Sequence, residues 1–291
     1  MSKYIEIFLK GFGDYWNYLV NDIVNPSWHS YFYLLIAVSI FFYLLEIFFP
    51  WRKNQKLIRK DFWLDVFYMF FNFFIFSLII YNSVSNVLVT LFSDFLALFG
   101  ITNIVAIKIN ELAIWAQLGI LFIVRDFIQW NVHRLLHASP FLWQFHKLHH
   151  SVKEMGFAAH LRFHWMETIV YKFIQYVPLA MLGFNLVEFF IVDAFALAVG
   201  HFNHSNFKLN LGPLKYIFNN PQMHIWHHAK KLPEDRKMGV NFGLTLSIWD
   251  YLFKTAYIPH DGRDIELGFD DENEFPESFV KQEIYPFIKD E

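Results

Sequence analysis

Fourteen histidines occur in the chain, and twelve of them fall in the 96 residues from His133 to His228. Their spacing is patterned. His133 and His137 form an HxxxH pair, His146, His149 and His150 form HxxHH, and His224, His227 and His228 repeat that box. Between the boxes lie His160 and His164, another HxxxH pair, and His201 with His204. Residues three or four apart on a helix share a face, with Cβ atoms about 5–6 Å apart, so two such imidazoles can hold one metal ion. The adjacent pair in HxxHH diverges by about 100°, which lets one box feed two neighbouring ions. Ten or more imidazoles exceed the needs of one ion, so two ions are the economical reading. Without metal, burying so many ring nitrogens would leave many of them lacking partners. His29 and His260 stand apart and read as packed or interfacial residues.

All-imidazole ligation suits Fe, Zn, Cu or Ni and argues against Mg or Ca. Two irons beside an apolar substrate suggest O₂ activation and attack on an unactivated C–H bond. Zinc would instead suggest hydrolysis, with an open coordination position and a general base, but no HExxH occurs. Soluble di-iron carboxylate enzymes use Glu and Glu-x-x-His sets, and the carboxylates here do not stand at those spacings.

The elements that must position these residues are apolar. Hydrophobic residues make up 55% of the 291, charged residues 18% and aromatics 21%, with 37 Phe, and the mean hydropathy is +0.28. A soluble domain carries about 25% charged residues, so this composition points to a membrane protein. The same numbers exclude intrinsic disorder and collagen. A net charge of −3 gives no nucleic-acid footprint. Zero cysteines exclude disulfides, a thiolate nucleophile, Fe–S clusters and Cys-ligated zinc.

The first long apolar run, His29 to Pro50, has Glu46 as its only acid or base and is bracketed by Trp28 and Trp51. As a helix it would cover about 33 Å, enough for a hydrocarbon core of about 30 Å. A second run goes from Phe62 to about Phe92, with a polar patch at Tyr81–Asn86 marking an exit or a bend, and a third covers roughly Glu111 to Trp130. A fourth, Thr168 to Gly200, contains Pro178 and a turn at Gly183-Phe184-Asn185. Met1 to Val24 lacks the pattern of a cleavable signal peptide, and Tyr4 to Val24 reads as an amphipathic interfacial stretch. Arg52, Lys53, Lys56, Arg59 and Lys60 crowd the loop after the first span, which places that loop in the cytoplasm.

Counting spans from there, everything after Trp130 starts on the cytoplasmic side. Histidines before and after Thr168–Gly200 must reach one site, so that segment is expected to enter and leave on the same face, as a short hairpin dipping into the bilayer. The expected fold is thus all-α and integral to the membrane. It has about three spanning helices plus that hairpin, and a cytoplasmic helical His-rich cap that binds metal. Residues 1–112 form the N-terminal membrane region, 113–258 the catalytic region and 259–291 an acidic cytoplasmic tail. That tail holds 11 acids against Arg263, Lys281 and Lys289, and its Ile-Lys-Asp-Glu ending is not a retention signal.

The stretch from Leu121 to Thr255 resembles the fatty acid hydroxylase/sterol desaturase superfamily, nearly half the chain. The resemblance rests on Asp126, on the sequences His133–His137, Trp143–His150, Arg162–Glu167, His201–Ser205 and Pro221–His228, and on the closing Asn241-Phe242-Gly243 and Ser247-Ile248-Trp249-Asp250. It implies a membrane-bound di-iron enzyme of lipid metabolism, using two ferrous ions, with zinc as a substitute, and O₂ to hydroxylate or desaturate a lipid C–H bond. By position the ligands would be His133, His137, His146, His149, His150, His201, His204, His224, His227 and His228. His164 lies in an Arg-x-His-x-x-Glu element where the family usually has Pro next, and this chain has Trp165 instead. His160 matches no box position, so His160 and His164 are two further candidates.

No catalytic side chain beyond the metal ligands is singled out. Asp126 lies seven residues before His133, about two helical turns, and on its face. It would either orient a ligand imidazole or pair with Arg125 or Arg134. Asn203 and Asp250 are candidates for the same supporting role. The reading expects a lipid substrate, O₂, no nucleic acid, and a separate electron donor such as a cytochrome, a ferredoxin or a pterin, because Met1–Trp28 carries no haem-ligating histidine. The bacterial plasma membrane is expected over the endoplasmic reticulum. Two other classes compete, a zinc-dependent membrane hydrolase and a transition-metal transporter or sensor. Transporters keep ionisable groups near the midplane of their spans, whereas these spans are nearly free of them.

Overall fold

A computed structural model of the chain describes residues 2–27, 30–76, 82–106, 108–184 and 186–288. Trp28, His29, Tyr81, Asn185 and the ending Lys289–Glu291 lie outside the described residues. Among the described residues the fold is all-helical, without strands, and only isolated bridges such as Pro50 with Phe207 pair extended backbone.

Helix α1 (Lys3–Val24) covers the expected amphipathic stretch and packs on α4 (Asn82–Ala97), where Lys3 and Tyr4 both reach Asp94. Helix α2 (Tyr31–Phe48) is capped by Ser30 and is the one described helix long and apolar enough to cross a membrane by length and composition. The run Phe62–Phe92 is two shorter pieces. Helix α3 (Phe62–Phe70) continues into a π-helical turn, Phe71–Ile75, and α4 starts at Asn82, inside the polar patch. A π turn displaces the side chains after it. Here Asn72 donates to the carbonyls of Leu161 (2.9 Å) and Phe163 (2.8 Å), which brackets Arg162.

Helix α5 (Ile114–Ala138) starts near the expected third span and continues past Trp130 to carry His133 and His137. Its charged residues are paired inside the fold. Arg125 meets Asp193 at 2.6 Å, and Asp126 accepts three hydrogen bonds. Ser139 ends α5 and at once caps α6 (Pro140–His150), with Pro140 in the first turn, so the first two histidine boxes sit on consecutive helices that pack on each other. Helices α7 (Trp165–Ala180) and α8 (Leu186–His204) are joined by a turn containing Gly183 at φ +65°, and each packs on α5. Both arms end at the histidines, since Glu167 reaches His146 and His204 reaches His149. The segment therefore leaves and returns on one side, as the placement of the boxes requires. Helix α9 (Pro221–His227) is capped by Asn220 and carries the last box, and α10 (Ile248–Leu252) packs beside α5 through Phe127–Trp249 and Trp130–Phe253 ring contacts.

The acidic tail packs against the body. Phe275, Gln282 and Glu283 are buried, and Phe279 on α11 (Phe279–Ile284) inserts among Phe67, Tyr68 and Phe71 at centroid distances of 4.7–5.0 Å. Glu46, the lone acid of α2, is also buried. One of its carboxylate oxygens accepts from the backbone N–H of Phe157 and of Asn206, both at 2.8 Å, which ties α2 to the turn before His160 and to the chain just after His204.

Candidate metal centre

Nine imidazoles converge in two adjoining groups. His133, His137, His146, His150 and His227 form one, and His149, His204, His224 and His228 the other; within each, one ring nitrogen per residue lies within 4.8 Å of all the rest. Eight of the nine are buried and His137 is half-buried. Each HxxHH box is split between the groups. His146 and His150 face one while His149 faces the other, and His224 and His228 face one while His227 faces the other. Adjacent residues on a helix point about 100° apart, so the split follows from helix geometry. His150 and His228 stack at 4.4 Å where the groups meet.

The tautomers are set by what holds Nδ1. His133 Nδ1 faces the carbonyl of Phe242 (2.8 Å), His149 that of Arg162 (3.1 Å), His204 that of Gly200 (2.8 Å) and His227 that of Val240 (2.8 Å). A carbonyl only accepts, so each Nδ1 carries the proton and each Nε2 presents a bare lone pair. His146 Nδ1 faces the Glu167 carboxylate at 2.8 Å. Burial pushes the Glu167 carboxyl well above the usual range, and burial together with neighbouring imidazoles pushes His146 well below it, so the isolated pair is neutral. A cation on His146 Nε2 would favour the carboxylate and its hydrogen bond to Nδ1–H.

This arrangement fits metal ions. With both Nδ1 atoms protonated, His149 and His204 turn lone pair to lone pair at 3.3 Å, and His133 does the same with His146 at 3.2 Å once Glu167 is ionised. His204–His224 and His224–His228 follow at 3.0 and 3.1 Å. The Nε2 atoms of His137, His150 and His227 are buried with no hydrogen-bond partner at all. Two nitrogens each about 2.1 Å from one ion lie about 3.0 Å apart at right angles and about 3.4 Å apart at the tetrahedral angle. The observed spacings fall in that interval. Desolvation also pushes the imidazoles down, His133 to about 4 and His149 to about 3, which keeps them in the neutral form that binds metal.

The turn after α9 supplies two of the four carbonyls. Asn241 sits at φ +53°, and its side chain holds Met223 and Tyr257 backbone on both sides. Gly239 is at φ +109°, where an added Cβ would lie 3.0 Å from the His137 ring nitrogen and from the Phe242 ring. The Phe242 and Trp143 rings close over the five-membered group, 5.2 and 5.0 Å from His137.

Three other candidate histidines, His160, His164 and His201, lie outside both groups. His201 turns to α2, with Nε2 3.2 Å from Ser39 Oγ and Nδ1 3.0 Å from His160 Nδ1. His160 lies between His201 and His204 with its ring against Gly200, where any Cβ would come within 2.0 Å. In His164, Nδ1 accepts from the Met166 N–H and Nε2 therefore donates, to the Glu283 carbonyl at 2.7 Å, which pins the tail.

The three supporting candidates touch no ligand ring. Asp126 accepts from the N–H groups of Thr245 and Leu246 and from the Trp249 indole, in place of an imidazole or either arginine. Asn203 donates to the Leu244 carbonyl at 2.6 Å. Asp250 accepts from the Phe242 and Gly243 N–H groups, the Trp130 indole and Thr255 Oγ1, and so fixes the carbonyl that orients His133. The carboxylate on a ligand is Glu167, which sequence reasoning had not singled out. Its signal was its place in Arg162–Glu167, on the first turn of α7. Glu167→Gln is expected to weaken metal binding about 10–100-fold with the fold intact, read as the metal affinity of the purified protein and its circular dichroism. Unchanged affinity would assign Glu167 to packing alone.

Residues 118–255 match the fatty acid hydroxylase family. Over 167 residues the chain is 33% identical to ornithine lipid hydroxylase OlsE of Rhizobium tropici, covering 57% of this chain and 49% of that one. It is 31% identical over 144 residues to alkylglycerol monooxygenase of Homo sapiens, 46% of this chain and 29% of that one. It is also 24% identical over 143 residues to methylsterol monooxygenase 1-1 of Arabidopsis thaliana, 48% of this chain and 46% of that one. The chain thus spans about half the length, or less, of the curated relatives it matches. No solved structure matches it.

Proposed function

We propose that this chain, whose residues 118–255 match the fatty acid hydroxylase family, is a membrane-bound, O₂-dependent lipid hydroxylase whose two histidine groups each hold an iron ion. The observation that carries the reading is the pair of adjoining, buried, all-imidazole groups with their lone pairs turned inward. Iron in such ligation supplies O₂ activation and attack on a C–H bond. The reaction balances as lipid C–H plus O₂, two electrons and two protons, giving lipid C–OH and water. The electrons come from a cytochrome, a ferredoxin or a pterin.

The chain's own groups hold the site. The four backbone carbonyls and Glu167 fix ring orientation. Burial keeps the imidazoles neutral, and the rings of Trp143 and Phe242 limit water. Hydroxylation is favoured over desaturation because the relatives carry hydroxylase and monooxygenase names. A polar membrane lipid is the proposed substrate. The basic loop Arg52–Lys60 supports a cytoplasmic position for the histidines, in a bacterial plasma membrane crossed by α2.

The test is isotopic. Iron-reconstituted protein in lipid nanodiscs, given a reductant and ¹⁸O₂, is expected to yield a lipid carrying one ¹⁸O atom, seen by mass spectrometry, with matching O₂ uptake. Label entering from H₂¹⁸O alone would make the chain a hydrolase. O₂ uptake with loss of hydrogen and no label in the lipid would make it a desaturase.

A further inference from the structure

After His204 the chain comes back to the end of α2. Pro50 bridges Phe207, the Trp51 N–H donates to the Asn206 carbonyl, and the rings of Phe49 and Phe207 meet at 6.5 Å. From Lys208 to Ile217 the backbone then runs along the surface, through a short 3₁₀ turn at Gly212–Tyr216. Its apolar side chains face outward, with Leu209 50% exposed, Leu214 51%, Tyr216 52% and Ile217 41%. Tyr216 packs edge-on against Tyr251 at 5.0 Å, and this joins the segment to Leu252 and Phe253, also exposed, at the end of α10. Phe253 in turn lies 4.8 Å from the Trp130 ring on α5. A strip of six exposed apolar side chains therefore runs from the C-terminal end of α2 to the level of Trp130, where the third apolar run ends.

Its charges have one sign. In 207–217 and 246–255 the bases are Lys208, Lys215 and Lys254, and the single acid is Asp250, which is fully buried. Lys208 is engaged by Asp261 at 2.5 Å, while Lys215 and Lys254 are exposed. Water is a poor neighbour for such a patch. A bilayer interface suits it, because apolar side chains enter the upper acyl region while lysines reach anionic headgroups. The strip also leads straight into the site, for Phe218 pairs with Leu246 and Asn220 caps α9, which carries His224 and His227.

We propose that Lys208–Ile217 together with Leu252–Lys254 is a membrane-seating rim that lies in the interfacial layer of an anionic leaflet and holds α9 at the lipid boundary. This rests on the reading that α2 crosses the bilayer. The chain has no cysteine, so single cysteines can carry an environment-sensitive fluorophore without background. The variants are Leu214→Cys and Leu252→Cys on the rim, Phe41→Cys on the exposed face of α2, and Asp235→Cys at a 79%-exposed side chain of the cap. The full chain is reconstituted in phosphatidylcholine/phosphatidylglycerol vesicles, and quenching by brominated acyl chains is read.

The rim labels are expected to show at least half of the quenching at Phe41→Cys, and Asp235→Cys almost none. Rim labels that follow Asp235→Cys while Phe41→Cys is quenched would overturn the rim and leave the membrane reading standing. No quenching at Phe41→Cys would overturn both. Lys215→Glu/Lys254→Glu is expected to lower quenching at Leu214→Cys in the anionic vesicles and to leave it unchanged in pure phosphatidylcholine. Equal quenching in both lipids would remove the electrostatic part of the proposal.

Discussion

His146→Ala/His150→Ala is expected to lose one of two bound ions, and His204→Ala/His228→Ala the other, with activity at background in both. The first pair takes the five-imidazole group down to three ligands, and the second takes the four-imidazole group down to two. His149→Ala/His227→Ala removes one ligand from each group and is expected to weaken both ions. Elemental analysis of iron-replete, detergent-purified protein reads the outcome. Burial decides the size of the effect, since water cannot easily replace an imidazole in a desolvated pocket and each remaining ring keeps a lone pair without a partner. The geometry sets a control as well. His201 faces His160 and Ser39, so His201→Gln is expected to keep both ions. Loss of an ion there would make His201 a ligand, as the family pattern implies. Equal loss of both ions in the first two variants would mean that the groups act as one cluster.

Asp250→Ala is expected to cost about 3–5 kcal/mol of stability, because four buried neutral donors lose their acceptor while the cost of desolvating the carboxylate is relieved. The carboxylate is fully buried and accepts four hydrogen bonds, from the Phe242 and Gly243 N–H groups at 2.9 and 2.8 Å, the Trp130 indole at 3.0 Å and Thr255 Oγ1 at 2.6 Å. Each donor left without a partner costs about 1–3 kcal/mol. Desolvation of the carboxylate opposes this gain and is the larger influence on its acidity, since burial raises the carboxyl above its ordinary range in spite of the four donors. The net loss is therefore smaller than four separate bonds would give. Because the Phe242 carbonyl holds His133, the same variant is expected to weaken metal in the five-imidazole group about 10–100-fold. Chemical unfolding and metal titration of Asp250→Ala and Asp250→Asn check this. A change under about 1 kcal/mol would mean that the turn holds its shape without the carboxylate.

Much of the helical framework was legible from apolar runs and caps. The turn between α7 and α8 could be read from Gly183, and the return of both outer ends to the histidines from the need to bring those residues together. The run Phe62–Phe92 divides at the polar patch that sequence marks as an exit or a bend, since α4 starts at Asn82. The π turn at Phe71–Ile75 was not legible, because Asn72 within it binds two carbonyls about ninety residues away. Helix α5 was legible as far as His133, since the apolar run to Trp130 and the seven-residue spacing of Asp126 and His133 both call for one helix. The partners of Arg125 and Asp126 were not legible, because they lie far along the chain.

By itself the sequence determined which imidazoles share a helix face, and hence that each HxxHH box can divide between two neighbouring groups. That is a local property of 3.6 residues per turn. Only the tertiary structure decided which ring nitrogen is free to bind. The Nδ1 acceptors are chiefly the carbonyls of Arg162, Gly200, Val240 and Phe242, and every residue has a carbonyl, so sequence cannot mark the ones that matter. It decided also that His204 enters a group while His201, about 60° around the same helix, turns to Ser39. Asp126 illustrates the limit from the other side. Its spacing put it on the face of His133, but a carboxylate goes to the strongest donors within reach, and the fold brings it two backbone N–H groups and an indole.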